Sequence, residues 1–252
     1  MIISFFEEFF DSNSTALVKR ITWPARLFVA AGSLEEFEKI EKKVLALRNK
    51  NILEVVYWPV LLRKEGYWIS AFSDHTALKR VLGELEESKM AVMLDLELPT
   101  TRNPWLYLTQ LLWFFSNKRR ISRFVGGYRG LLYLCEYYPE GRWQEKVLKF
   151  LGIHYNSDRA KVIKMLYHSL HPFNEDFVRC ELERGKKEWG SRFVIGLGTI
   201  AKGVQGTEKI LTSEQLERDM NLAREAGVEE VIVFRLAGLT PEIANVCRKY
   251  ST

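Results

Sequence analysis

The stretch Ala91-Val92-Met93-Leu94-Asp95-Leu96-Glu97-Leu98, closed by Pro99, decides the reading of this chain. Read as a strand, it alternates with period two, so Met93, Asp95 and Glu97 share one face and Val92, Leu94 and Leu96 share the other. The Leu-rich face is expected to meet outer helices. The two acids are then expected to point into a barrel, near its carboxyl end.

The same kind of run recurs on both sides of it. Short β-branched or aromatic runs alternate with longer charged segments of helical period. The upstream runs are 2–8, 26–31 and 52–58, and the downstream ones are 131–137, 161–168, 192–199 and 230–236. Helix signals fill the intervals. Asp11-Ser12-Asn13-Ser14 can cap a short helix reaching Arg20. Ser33-Leu34-Glu35-Glu36 reads as a capping box ahead of an apolar face of Phe37, Ile40, Val44 and Leu47. A long connection with Gly66-Tyr67-Trp68 precedes a helix over 74–87. The pair Asn103-Pro104 opens another helix, and Gly227 stops one that begins near Ser213. Thr240-Pro241-Glu242 opens the last.

Eight strand–helix units in 252 residues, with no linker, predict one (β/α)8 TIM barrel domain over 1–252. An open doubly wound sheet is the alternative, weakened by the lack of a glycine-rich phosphate fingerprint after the first strand. Residues 121–125 read equally as a strand or as the end of a helix.

Composition narrows the function classes. Hydrophobic residues make up 47% and charged residues 27%, which supports a large core and argues against disorder. The net charge of +5 is mild, and without a binding motif no nucleic-acid partner is expected. Cys135, Cys180 and Cys247 are odd in number and far apart, which fits a reduced, cytoplasmic setting and no zinc knuckle. The apolar start carries Glu7 and Glu8 and no basic residue, unlike a signal peptide. The apolar segment 105–115 is interrupted by Thr109 and Gln110 and is too short to span a bilayer, so no membrane partner is expected. Its bulky groups, from Trp105 through Leu112 to Phe115, surround the helix and point to a homo-oligomer contact. Arg119, Arg120 and Arg123 beyond it read as a solvated helix end.

In such a barrel the active site is built from the carboxyl ends of the strands. The polar residues there are Glu7, Glu8, Ser33, Tyr57, Trp58, Asp95, Glu97, Glu136, Tyr137, Tyr167, His168, Thr199 and Arg235, with Tyr67 and Trp68 in the third loop. Acidic and aromatic groups suit a small saccharide: carboxylates bind hydroxyls or move protons, and rings pack on sugar faces. Asp95 and Glu97, roughly 6 to 7 Å apart along a strand, would perturb each other's ionisation. The less solvated one would keep its proton, as a general acid must.

Asp95-Leu96-Glu97 on the fourth strand and Met165-Leu166-Tyr167 on the sixth resemble the D-x-E and M-x-Y motifs of the chitinase-like glycoside hydrolases of family 18. The resemblance implies that Glu97 donates a proton to the glycosidic oxygen. It implies that Asp95 orients a substrate acetamido group acting as internal nucleophile, and that Tyr167 hydrogen-bonds its carbonyl. The sequence departs from the family at several places. Met90 and Met93 stand where aspartates are usual, His168 follows M-x-Y in place of Asp, and Arg235 lies near the position of a strand-eight Trp. The S-x-G-G signature of the third strand is absent.

Two other readings stay open. Glu7, Asp95, Glu97, Glu136 and His168 come from four different strands and could hold Mg²⁺ or Mn²⁺ in a sugar isomerase or hydrolase; otherwise no cofactor is expected. Of the other histidines, His75 sits at a helix start, and His154 and His171 read as loop residues. The barrel could also bind saccharide or protein without catalysis, the missing aspartates marking a decayed site. A weaker idea is a phosphate site at Gly196, Gly198 and Thr199, with Lys202-Gly203 beyond.

Overall fold

A computed structural model describes residues 1–99, 104–137, 141–155, 157–168 and 173–251, apart from the side chain of residue 142. The proposed helix start at Asn103 and the loop position of His171 lie outside the described residues.

Eight strands close into a parallel barrel in sequence order: β1 Ile2–Glu7, β2 Ala25–Ala31, β3 Ile52–Pro59, β4 Val92–Asp95, β5 Leu132–Glu136, β6 Lys161–Leu166, β7 Phe193–Leu197 and β8 Glu230–Phe234. Each expected run is a strand, and most stop earlier than expected. β4 ends at Asp95, although the Leu96 amide still reaches the Cys135 carbonyl. The nine helices of the described residues include α1 Ser12–Val18, α2 Leu34–Ala46, α3 His75–Leu85, α4 Trp105–Thr109, α5 Phe114–Gly127, α6 Arg142–Leu151, α7 Glu175–Trp189, α8 Ser213–Glu225 and α9 Pro241–Tyr250. Asp11, Asp74, Thr212 and Thr240 cap α1, α3, α8 and α9 through their side chains. The box at α2 closes differently from expectation: Ser33 Oγ accepts from the Glu36 amide, but the Glu36 carboxylate reaches the Gly32 amide at 2.8 Å. The ambiguous residues 121–125 are helical, because Ile121, Phe124 and Val125 at i, i+3 and i+4 are buried together.

The chain packs as two compact units, one of Ala31–Phe37 with Tyr57–Ala160 and one of Met1–Ala30, Glu38–Val56 and Lys161–Thr252. In the first, Tyr57 stacks on Phe37 of α2 with ring centroids 4.8 Å apart, so it faces the helices. Tyr57 is in register with Val92. Paired residues of adjacent strands point the same way, so Val92, Leu94 and Leu96 also face outward and Met93, Asp95 and Glu97 face the lumen. Register carries this to β5, where Tyr133 pairs with Met93 and Cys135 with Asp95.

The fifth connection is unusual. α6 ends beside the carboxyl end of its own strand, since the Tyr155 amide donates to Glu136. The residues Ile153–Tyr155 that follow α6 are not helical.

In the second unit, Lys164 lies over Trp189 of α7, which sets the outward face of β6. Alternation and register then turn Ser4, Phe6, Ile232, Phe234, Met165 and Gly196 inward. The amino end of this lumen is closed by a charge cluster. Glu230, almost fully buried, accepts from Arg26 and Lys161 at 2.8 Å each and from Ser4.

The cysteines give a simple check on the packing. Cys135 and Cys247 are buried and Cys180 is exposed. Burial pushes the Cys247 thiol up to about 12. A thiol reagent such as Ellman's at pH 8 is expected to titrate Cys180 alone in the native protein and all three after denaturation. No helix among the described residues is long and apolar enough to cross a membrane.

Candidate functional site

β4 ends at Asp95, and the next residue keeps its pairing to β5 through the Leu96 amide, so Glu97, two residues on, follows Asp95 on the inner side. Asp95 and Glu97 are both buried. From β5, Tyr137 joins them: its hydroxyl donates to Glu97 Oε2 at 2.5 Å. Its ring remains 41% exposed, so the phenol spans from the open rim to the buried carboxylate. Desolvation drives the Tyr137 pKa far above its ordinary value, and the negative charges of Glu97 and Asp95 push it further. Tyr137 is thus a proton donor to Glu97 and never a phenolate near neutrality. The loop after β3 closes over the same place, the Ile69 amide donating to the Asp95 carbonyl at 2.9 Å. Trp68, next to Ile69, is buried edge-on against Tyr67, and the Ser73 hydroxyl holds its carbonyl. These two aromatics hold the loop down.

Three pairs of adjacent residues were expected at this mouth, and in each pair only one member can face inward. In β3, Tyr57 points to α2, leaving Trp58 for the lumen. At the end of β5, Tyr137 is inside and Glu136 outside. Glu136 Oε1 accepts from the Tyr155 amide at 3.0 Å, and Oε2 lies 2.6 Å from His154 Nδ1. After β6, His168 turns to the helices, with Nδ1 3.0 Å from Asp219 of α8 and Nε2 3.2 Å from the Phe173 carbonyl. Tyr57, Glu136 and His168 are therefore structural groups, contrary to expectation, because a strand sends neighbours to opposite sides.

Tyr167 takes the inner side. Its ring lies beside Phe234, and it rests on Gly198, where an added Cβ would come within 2.5 Å of the ring. The glycines of β7 thus make room for an aromatic ring, which accounts for them without a phosphate. Thr199 is likewise engaged, donating to the Lys209 carbonyl. Gly198→Ala is expected to cost about 1–3 kcal/mol by overpacking. In a Tyr167→Ala background the same change should be near neutral. A urea double-mutant cycle showing no coupling would remove this account of Gly198.

Glu7 and Arg235 pair with each other. Arg235 donates to Glu7 Oε1 at 2.5 Å and to the Lys202 carbonyl at 2.9 Å, and stacks over Phe9. Glu7 also accepts from the Phe9 and Ala237 amides. Both groups are consumed in tying loops together. Glu8 is the acid in phase with Ser4 and Phe6; it accepts from the Val204 amide and lies against Gly203. Counting by two from Ser4 would have selected Glu8 over Glu7. The same counting along β5 selects Cys135, in register with Asp95.

Of the groups proposed for a divalent cation, Glu136 and His168 each have a close partner in their own unit. Glu136 and His168 are held on the helix side by His154 and Asp219. Among the described residues no group of three His, Cys, Asp or Glu side chains is arranged to hold a metal.

No protein-family model matches the sequence, and no curated protein matches it. Solved structures are similar in fold. The glycoside hydrolase domain of PgaB (BpsB) from Bordetella bronchiseptica has a TM-score of 0.62 at 11% identity, over 100% of this chain and 99% of that one. A GH18 chitinase from Cycas revoluta in complex with (GlcNAc)3 has a TM-score of 0.56 at 12% identity, over 99% of each chain. A chitinase from Bacteroides thetaiotaomicron has a TM-score of 0.56 at 12% identity, over 100% and 96%. At such identities the likeness establishes the barrel and nothing finer.

Proposed function

We propose that this barrel acts on an oligosaccharide bearing N-acetylated sugars, with Glu97 as general acid. The reading rests above all on two buried carboxylates on one lumen face, with Tyr137 fixed on Glu97. Burying two acids side by side is costly unless they are used or neutralised. Tyr137 donates to Glu97 Oε2 and holds its rotamer, and in this reading the Glu97 carboxyl carries the transferable proton. Glu97 gives that proton to the glycosidic oxygen as the C1–O bond breaks. The substrate's acetamido oxygen closes on C1, and Asp95 accepts a hydrogen bond from the acetamido N–H. Glu97, now a carboxylate, takes a proton from the water that reopens the ring. The chitinase folds among the similar structures agree with this substrate class.

The test is incubation with N-acetylglucosamine oligomers, with products resolved by chromatography and the Glu97→Gln protein as control. Cleavage by the native protein and none by the variant is the expected result. Oligomer binding in calorimetry without cleavage would replace the reading with a saccharide-binding barrel. Neither binding nor cleavage would end it.

A further inference from the structure

The charge of this chain is concentrated in one place. Residues 98–135 contain six basic residues, Arg102, Lys118, Arg119, Arg120, Arg123 and Arg129, and no Asp or Glu; since the whole chain is +5, the remainder nets −1. The same stretch carries Leu112, the most exposed large apolar side chain of the described residues. Leu112 is 90% exposed and Trp105 70%, with Leu108, Leu111 and Phe115 also open.

α6 extends this surface. None of its described side chains is buried, and Trp143 on it is 76% exposed. It is joined to α5 through the Phe114 and Phe150 rings, 5.7 Å apart, and through Lys118 over Phe150. Val147, Leu148 and Leu151 of α6 are half-buried, while Trp143 and Phe150 stay exposed and add to the apolar surface.

The order of the side chains identifies that partner. Phe115, Arg119 and Arg123 are exposed at i, i+4 and i+8, so they form one stripe of α5. The arginines lie about 6 Å and 12 Å along the helix from Phe115. Among the described residues no acidic side chain pairs with Arg119, Arg123 or Arg129. An exposed apolar group with cations one and two turns behind it, beside other exposed apolar side chains, matches an acyl boundary beneath a layer of phosphates. A second copy of the chain meeting this face by a two-fold axis would set the Arg119 and Arg123 stripe against a like-charged surface.

We propose that this face docks on an anionic lipid bilayer, Trp105 and Leu112 entering the acyl boundary and Arg119 and Arg123 meeting lipid phosphates. This departs from the subunit contact expected from the sequence. The inference does not depend on the glycosidase reading.

Co-sedimentation of the full chain with vesicles tests it. Binding is expected to phosphatidylcholine mixed with phosphatidylglycerol, to be weak for phosphatidylcholine alone, and to be reversed by salt. Arg119→Gln with Arg123→Gln should weaken it on the order of thirtyfold. Trp105→Ser with Leu112→Ser should weaken it on the order of a hundredfold. Unchanged thermal melting by circular dichroism would show that these variants fold. No binding of the native chain to the mixed vesicles overturns the proposal, and that arm needs no variant. A dimer in sedimentation equilibrium that Leu112→Ser dissociates, with no vesicle binding, would assign the face to a second copy instead.

Discussion

Glu97→Gln is expected to lower kcat on N-acetylated oligomers on the order of 10³-fold, within the range of lost general acid catalysis, and to leave KM within a few-fold. Glutamine keeps the volume and still accepts from Tyr137, so the site stays packed. What it lacks is a proton to deliver to a departing sugar oxygen. Asp95→Asn should also reduce kcat while preserving the fold, because the amide cannot serve as the anionic acceptor for the acetamido N–H. Tyr137→Phe separates positioning from proton transfer. It removes the 2.5 Å hydrogen bond to Glu97 while leaving Glu97 able to carry its proton. A loss of about tenfold is expected, since one charge-assisted hydrogen bond is worth about 1.5–3 kcal/mol at most. The alkaline limb of the pH–rate profile should move upward, because the phenol favours the carboxylate over the acid. If Glu97→Gln retained native kcat, the acid would have to be another residue.

Arg235→Gln is expected to destabilise the protein by about 3–5 kcal/mol at pH 7, the usual consequence of leaving one buried charge without its partner. Glu7 has no solvent exposure, and burial raises its pKa above the ordinary 4.5. Arg235 is the largest influence acting the other way, followed by the Phe9 and Ala237 amides. A carboxyl whose folded pKa is raised contributes stability that is fully present below its unfolded value and is lost as pH rises through its folded value. Removing Arg235 raises the folded value further. The cost of the substitution should therefore grow as pH rises through the native folded value of Glu7, which burial holds above 4.5. At pH 4 only the Lys202 carbonyl bond and the Phe9 contact are lost, together about 1 kcal/mol. Urea unfolding of both proteins at pH 4 and pH 7 gives the two differences. Equal differences would show that the pair does not carry the effect.

These two experiments divide the carboxylates of the strand ends between chemistry and architecture. Glu97 shares a buried face with Asp95 and accepts from the neutral Tyr137 phenol. Glu7 is met by a cation and two backbone amides. A group enclosed in that way has its acceptor capacity spent on the fold.

The alternation of runs and capping signals determined the barrel, its strand order and the face shared by Asp95 and Glu97. Period-two geometry and helix caps are local, so they are written in neighbouring residues. Tertiary structure decided which of Tyr57 or Trp58, Glu136 or Tyr137, and Tyr167 or His168 looks inward. Local alternation fixes only that the members of each pair part. Which one enters the lumen depends on distant partners such as Phe37, Tyr155 and Asp219, which no spacing along the chain reveals. The pairing of Glu7 with Arg235, from opposite ends of the sequence, likewise arises only when β1 and β8 meet to close the ring.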